Sequence, residues 1–190
     1  MAVTWRGWRF PKLHGGAPAL DFVNTVDPRV GPQTEEFLVS PVALAAWAEY
    51  AGLARGVRMT PAGFRRALEL REALYRVFVA LAHGRPAPAA DLEVVHAAYM
   101  ATLRSARVTR DGDGYRLRVP VARGADAILW PILESALALL AEPERIKECP
   151  GDDCGWVFLD ATRSGTRRWC AMSSCGSREK MRRYRARVRS

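Results

Sequence analysis

Every cysteine of the chain lies in its last quarter, as Cys149-x4-Cys154, fifteen residues, then Cys170-x4-Cys175. Nothing in the first 148 residues can pair with them, so any thiol chemistry is local. Two short loops, each offering a ligand pair, suit a tetrahedral zinc ion held by four soft thiolates, and they cost little chain entropy. Four unrelated thiols or a disulfide pair are the alternatives. The N-terminus MAVTWRGWRFPKLHGG lacks the apolar stretch of a secretory leader. The longest apolar run, residues 127–141, is interrupted by Pro131, Glu134 and Ser135 and is shorter than the roughly 20 residues of a bilayer span. A soluble, cytoplasmic chain with no membrane partner is expected. Reduced thiols there favour metal over disulfides.

Four thiolates leave no open coordination position, so the zinc is expected to be structural, one per chain. A segment this rich in arginine has little apolar surface to bury. Zinc binding, on the order of 10 kcal/mol in comparable peptides, would fold it. The first pair encloses Pro150, Gly151 and two aspartates, which turn easily. Residues 156–159 suit a strand, with Gly165 in a return turn and a helix after Cys175-Gly176. Knuckle, hairpin and helix predict a small treble-clef-like four-cysteine finger.

Charge follows the same partition. The chain has 29 Lys plus Arg and 20 Asp plus Glu, a net of +9. Residues 145–190 hold 12 basic and 5 acidic residues, a net of +7, which leaves residues 1–144 only +2. On a helical wheel SREKMRRYRARVR, residues 177–189, carries one narrow apolar stripe of Met181, Tyr184 and Val188. Arg178, Arg182, Arg185 and Arg189 form a basic row on one side, and Lys180, Arg183 and Arg187 form another on the other side. The stripe is expected to dock on the finger while both rows face solvent. Like charges at this spacing repel, and a polyanion relieves that repulsion. Arginine binds phosphate bidentately and reads guanine edges, so nucleic acid is the expected partner. Arg167 and Arg168 join that surface. With Arg178, they also offset the negative charge of a zinc tetrathiolate.

The tail resembles the CGNR zinc finger family. The resemblance rests on Cys149-x4-Cys154-Gly155-Trp156-x-Phe158-Leu159-Asp160, Arg167-Arg168-Trp169-Cys170 and Cys175-Gly176-Ser177-Arg178-x-Lys180. Upstream, Leu20-Asp21-Phe22-Val23-Asn24-Thr25, the segment 40–53 with Trp47, and Leu70-Arg71-Glu72-Ala73-Leu74 are similar to the ABATE domain that precedes this finger. The resemblance implies a bacterial, stress-related transcription regulator with zinc at the four cysteines and DNA bound through the finger. Ser177 stands where the family signature has Asn, and serine can cap the helix start.

The body, residues 1–144, is expected to be mainly helical with one β-hairpin, an α+β class. A short helix is predicted near 18–26. Ser40-Pro41 and Thr60-Pro61 are start signals for helices over 41–53 and about 61–82. Another helix covers 88–103, a hairpin covers 106–119 around Asp-Gly-Asp-Gly, and an apolar helix covers 125–141, bent or restarted at Pro131. Pro143 marks the boundary to the finger. Arg71 lies within the apolar stripe of the long helix and needs a carboxylate. Asp21, on the same face as Asn24 and Thr25, is the expected partner, in a structural ion pair or a pocket holding an anionic small molecule. No nucleophile, phosphate loop or dinucleotide fingerprint is present, so an enzyme is not expected.

The leading expectation is a one-component regulator whose finger binds double-stranded DNA and whose body senses an effector or forms a homodimer. An RNA or ribonucleoprotein module and a redox switch through the zinc thiolates are the alternatives.

Overall fold

The computed structural model describes residues 2–31, 33–119 and 124–189. It opens with a hairpin that the sequence does not announce: β1 (Ala2–Trp5) and β2 (Trp8–Pro11) pair around Arg6 and Gly7, both at positive φ. A loop leads to α1 (Pro18–Val23), and then β3 (Val26–Asp27) pairs with β4 (Glu35–Glu36).

The long helices start where their caps predict. Ser40 accepts the Ala43 N–H at 3.1 Å and opens α2 (Pro41–Tyr50). Thr60 accepts the Gly63 N–H at 3.1 Å and opens α3 (Pro61–Ala82). In each case a side-chain oxygen satisfies a first-turn donor that has no helical partner. The body continues with α4 (Ala89–Leu103), the hairpin β5 (Arg107–Asp111) and β6 (Gly114–Arg118), and α5 (Asp126–Ala141). Pro131 sits inside α5 without ending it, so of the two expectations, a bend or a restart, the restart does not occur. The body core holds Trp47, Phe22, Phe78, Leu70, Leu74, Ile128 and Ile132, all fully buried. Among the described residues no helix is long and apolar enough to cross a membrane.

After a 3-10 turn (Pro143–Arg145) come β7 (Ile146–Glu148) and β8 (Val157–Leu159), which pair antiparallel. The partner of the predicted strand is therefore the segment before Cys149, and Gly165 does not turn it back. A one-turn π-helix (Met172–Gly176) runs into α6 (Ser177–Arg189).

Side chains alternate across a strand, and β8 uses that period to serve two cores. Val157 and Ile146 belong to the core of the body. Trp156 and Phe158 belong to a second core with the four cysteines. Asn24 clamps this strand from α1: its Nδ2 donates to Val157 O at 2.8 Å, and Val157 N–H donates to its Oδ1 at 3.1 Å. Leu159 N–H donates to Gly15 O at 2.7 Å and Trp156 Nε1 to Val26 O at 3.1 Å. The first knuckle is held as well, by Arg29 N–H donating to Cys154 O at 2.7 Å and Tyr75 Oη to Gly155 O at 2.9 Å.

Arg71 is buried within α3 as predicted, but Asp21 is not its partner. Its Nη1 and Nη2 reach Glu36 at 2.7 and 2.5 Å, its Nε reaches Glu72 at 2.7 Å, and Nη1 also reaches Thr25 Oγ1 at 3.2 Å. Glu72 in turn accepts from Arg29 at 2.6 Å. Burial pushes Glu72 up, and the guanidiniums of Arg29 and Arg71 outweigh it and hold the carboxyl below its usual range. Four of the five N–H groups of Arg71 are engaged by Glu36, Glu72 and Thr25, which makes an ion network between α3 and β4.

Asp21 instead accepts the Gly15 N–H at 2.7 Å. Burial pushes it up to about 6, against the opposing hydrogen bond and the charge of Arg167. A carboxyl that holds its proton more tightly when folded favours the fold fully below its unfolded pKa and loses that contribution as pH rises through about 6. Asp21→Asn keeps an acceptor for Gly15 and cannot ionise. The stability of the wild type relative to this variant should fall by about 2 kcal/mol between pH 4 and pH 7. Urea titrations across that range check it, and parallel pH profiles for the two proteins would refute it.

Candidate metal centre and nucleic-acid interface

Cys149 follows β7 and Cys154 precedes β8, so the hairpin holds both ends of the first loop, closed by Cys149 N–H donating to Trp156 O at 2.8 Å. The π-helical turn supplies Cys175, and Cys170 lies just before it. All four thiols are buried, and their Sγ atoms lie within 4.8 Å of one another. Cys154 to Cys170 is 3.7 Å and Cys170 to Cys175 is 3.6 Å. Zinc–sulfur bonds of about 2.3 Å in a tetrahedron put the sulfurs about 3.8 Å apart. These separations are too long for disulfides and fit a tetrathiolate ion site.

The protons of such a cluster are strongly biased. Hydrogen bonds from the other three thiols, with Arg178 adding to them, hold Cys175 far below the ordinary thiol range, while hydrogen bonds with the other three thiols, and then burial, push Cys154 up. Arg178 Nη2 lies 3.0 Å from Cys175 Sγ, placed to stabilise a thiolate.

Glycine is required where the first loop meets the body. Gly155 has φ +66°, and a Cβ there would lie 2.8 Å from Val30 and 3.2 Å from Tyr75 Oη. A hub behind the metal ligands had no signal in the sequence beyond its place in the motif. Asp160 is fully buried and accepts from Lys147 Nζ at 2.6 Å, Thr162 N–H at 3.0 Å and Arg167 N–H at 2.9 Å. The Lys147 ammonium and these donors hold its carboxyl well below the usual range. Lys147 also donates to Gly165 O and Arg167 O, which ties down the chain between the two cysteine pairs.

Arg167 departs from the expectation that it meets nucleic acid. Its guanidinium collects main-chain carbonyls of Leu159 at 3.0 Å, His14 at 2.9 Å, Trp169 at 3.1 Å and Cys170, and it stacks on Phe158 with 4.4 Å to the ring centroid. It is a staple between finger and body. Arg168 remains exposed beside Trp169.

The helix α6 also differs from its wheel. The apolar stripe does not dock: Met181 is 48% exposed, Tyr184 62% and Val188 68%. Ser177 does not cap the helix either, because its hydroxyl donates back to Met172 O at 2.9 Å. The helix is fixed at its first turn. Glu179 pairs with Arg182 at 2.6 Å and Arg183 at 2.7 Å, and Arg182 reaches Asp152 of the first loop at 2.6 Å. The two basic rows front separate grooves. Arg178, Arg182 and Arg185 line one of about 1070 Å³ that also touches Asp27, Pro28 and Trp156. Lys180, Arg183 and Arg187 line another of about 380 Å³ with Arg168, Trp169 and Tyr184. Lys180 and Arg185 carry no ion pair among the described residues, and the side chain of Arg189 lies outside them.

The sequence was compared with known protein families. Residues 16–143 match the ABATE family, described as a "putative stress-induced transcription regulator", and residues 145–188 match the CGNR zinc finger. No curated protein matches the chain.

Because β8 belongs to both cores, metal loss should be felt throughout. Cys154→Ser should abolish tight zinc binding and lower the melting temperature of the body together with the finger. Calorimetry of the wild type should show a single transition that chelation shifts downward. Two transitions, only one of them zinc-dependent, would show that the cores are independent.

Proposed function

The chain belongs to the ABATE family and ends in a CGNR zinc finger, and from that premise we propose that it is a cytoplasmic regulator that binds duplex DNA through the finger and α6. The observation that carries this is the state of α6: one turn anchored to the metal loops, the rest exposed, with Lys180, Arg183 and Arg185 presented to solvent. One structural zinc per chain holds that turn in place. Four thiolates leave no position for substrate on the zinc, so its role in this reading is structural.

In this function the phosphates bind to α6 and Arg168, while Arg167 keeps the finger seated on the body. The body senses a small effector or pairs two copies. Arg71 already spends four of its five N–H groups on Glu36, Glu72 and Thr25, so the groove between Pro28 and α6 is the better place for one.

The zinc-loaded chain should bind duplex DNA with a log–log salt slope of about −0.9 per phosphate neutralised. Lys180→Gln with Arg185→Gln should make the slope shallower by about 1.8 and leave zinc content unchanged. Filter binding from low to high salt, with single-stranded RNA as a parallel probe, checks both. Salt-insensitive binding, or tighter binding to the RNA, would overturn the DNA reading.

A further inference from the structure

The hairpin β5–β6 is the part of the body that the core does not use. Every residue of β6 is exposed, as are four of the five in β5. An isolated two-stranded ribbon is marginal in water unless one of its faces is covered. In its register Val108 lies opposite Leu117 and Arg110 opposite Tyr115, while Arg107 lies opposite Arg118 and Thr109 opposite Arg116. Directly opposite residues share a face. One face is therefore apolar apart from Arg110, and the other carries three arginines. Val108 is 68% exposed, Tyr115 75% and Leu117 47%.

Charge identifies what covers this ribbon. Residues 104–118 hold five arginines and two aspartates, so this segment alone exceeds the net +2 of residues 1–144, and the rest of the body is slightly acidic. Arg107 and Arg118 are a like-charge pair directly across the ladder, an arrangement that costs stability. Asp111 answers Arg116 at 2.6 Å and Arg118 at 3.3 Å. Among the described residues, Arg107 and Arg110 donate to nearby main-chain carbonyls, of Arg104, Ala106 and Gly112. A second copy of the chain would bring two ribbons of the same sign together, whereas a polyanion would neutralise them.

We propose that β5–β6 is a second contact to duplex DNA, an inference that rests on the reading of α6 as DNA-binding. A major groove about 12 Å wide admits a two-stranded ribbon, and the deep, narrow major groove of A-form RNA does not. Arg107 and Arg110 take phosphates, and Val108, Tyr115 and Leu117 lie against sugars and thymine methyl groups. Asp113 occupies the turn, so the ribbon lies lengthwise along the groove and does not enter tip first.

The test uses the full zinc-loaded chain and a mixed-sequence DNA duplex more than two turns long. Arg107→Gln with Arg110→Gln should make the log–log salt slope shallower by about 1.8. Tyr115→Ala should weaken binding several-fold at unchanged slope. Because these side chains are exposed, zinc content and melting temperature should match the wild type. If the wild type binds duplex and neither variant changes affinity or slope, the ribbon is not a DNA contact, and the role of α6 stands. If the wild type binds no duplex, both fall. Should sedimentation show a dimer that Tyr115→Arg dissociates, with DNA affinity and slope unaltered in the other two variants, the ribbon is an interface between copies and the inference is overturned.

Discussion

The structure depends on one strand whose two faces belong to different cores. β8 gives Trp156 and Phe158 to the cysteine cluster and Val157 to the body, and the amide of Asn24 occupies the main-chain N–H and C=O of Val157. A buried donor and acceptor left without partners cost about 1–3 kcal/mol each. The carboxamide is thus a specific fit to a strand edge that would otherwise be buried and unsatisfied. Neither core is complete without the hairpin, and Cys149 and Cys154 stand at the two ends of its loop. Metal, hairpin and body are coupled through covalent neighbours on one strand, with no need of a long-range path.

Charge is used in opposite ways on the two sides of this strand. Beneath it, Arg29 and Arg71 are buried against Glu36 and Glu72, where removing one partner would leave an uncompensated ion and cost several kcal/mol. These residues lock the segment carrying Pro28 and Val30 against the first cysteine loop. Beyond the strand, most of the tail's arginines point outward, apart from Arg167, which is spent on carbonyls. A formal count of +7 therefore overstates the binding surface, because Arg167, Arg182 and Arg183 already have internal partners.

The helices were legible in the sequence because their start signals are local chemistry: Ser40 and Thr60 meet donors only three residues away. The metal site was legible for the same reason, since ligand spacing within short loops is a local property. Pairing across the fold was not. Periodicity placed Arg71 in the core but could not choose among Asp21, Glu36 and Glu72, because that choice is made by the β3–β4 pair, two residues per strand. β7, at three residues, is too short for a period to show. The stripe on α6 is a true property of the sequence, and burying it requires a partner surface that the finger does not present.

That last mismatch has a physical consequence. A helix of thirteen residues is near the limit of stability in water unless packing supports it, and α6 carries repelling arginines along most of its length. Among the described residues its anchors to the cysteine loops are Arg178 on Cys175 and Arg182 on Asp152 between the first cysteine pair, and Glu179 pairs with Arg182 and Arg183 within the helix. Both anchors stand on the two cysteine loops. With the loops closed by metal, the basic residues leave the finger in a fixed direction and the helix is nucleated. With the loops open, the same charges become a flexible tail. Electrostatic attraction to a polyanion survives that change, because it depends on net charge, whereas register does not, because it depends on where the first turn points. If the chain binds nucleic acid as proposed, metal occupancy would govern the specificity of that contact more than its strength.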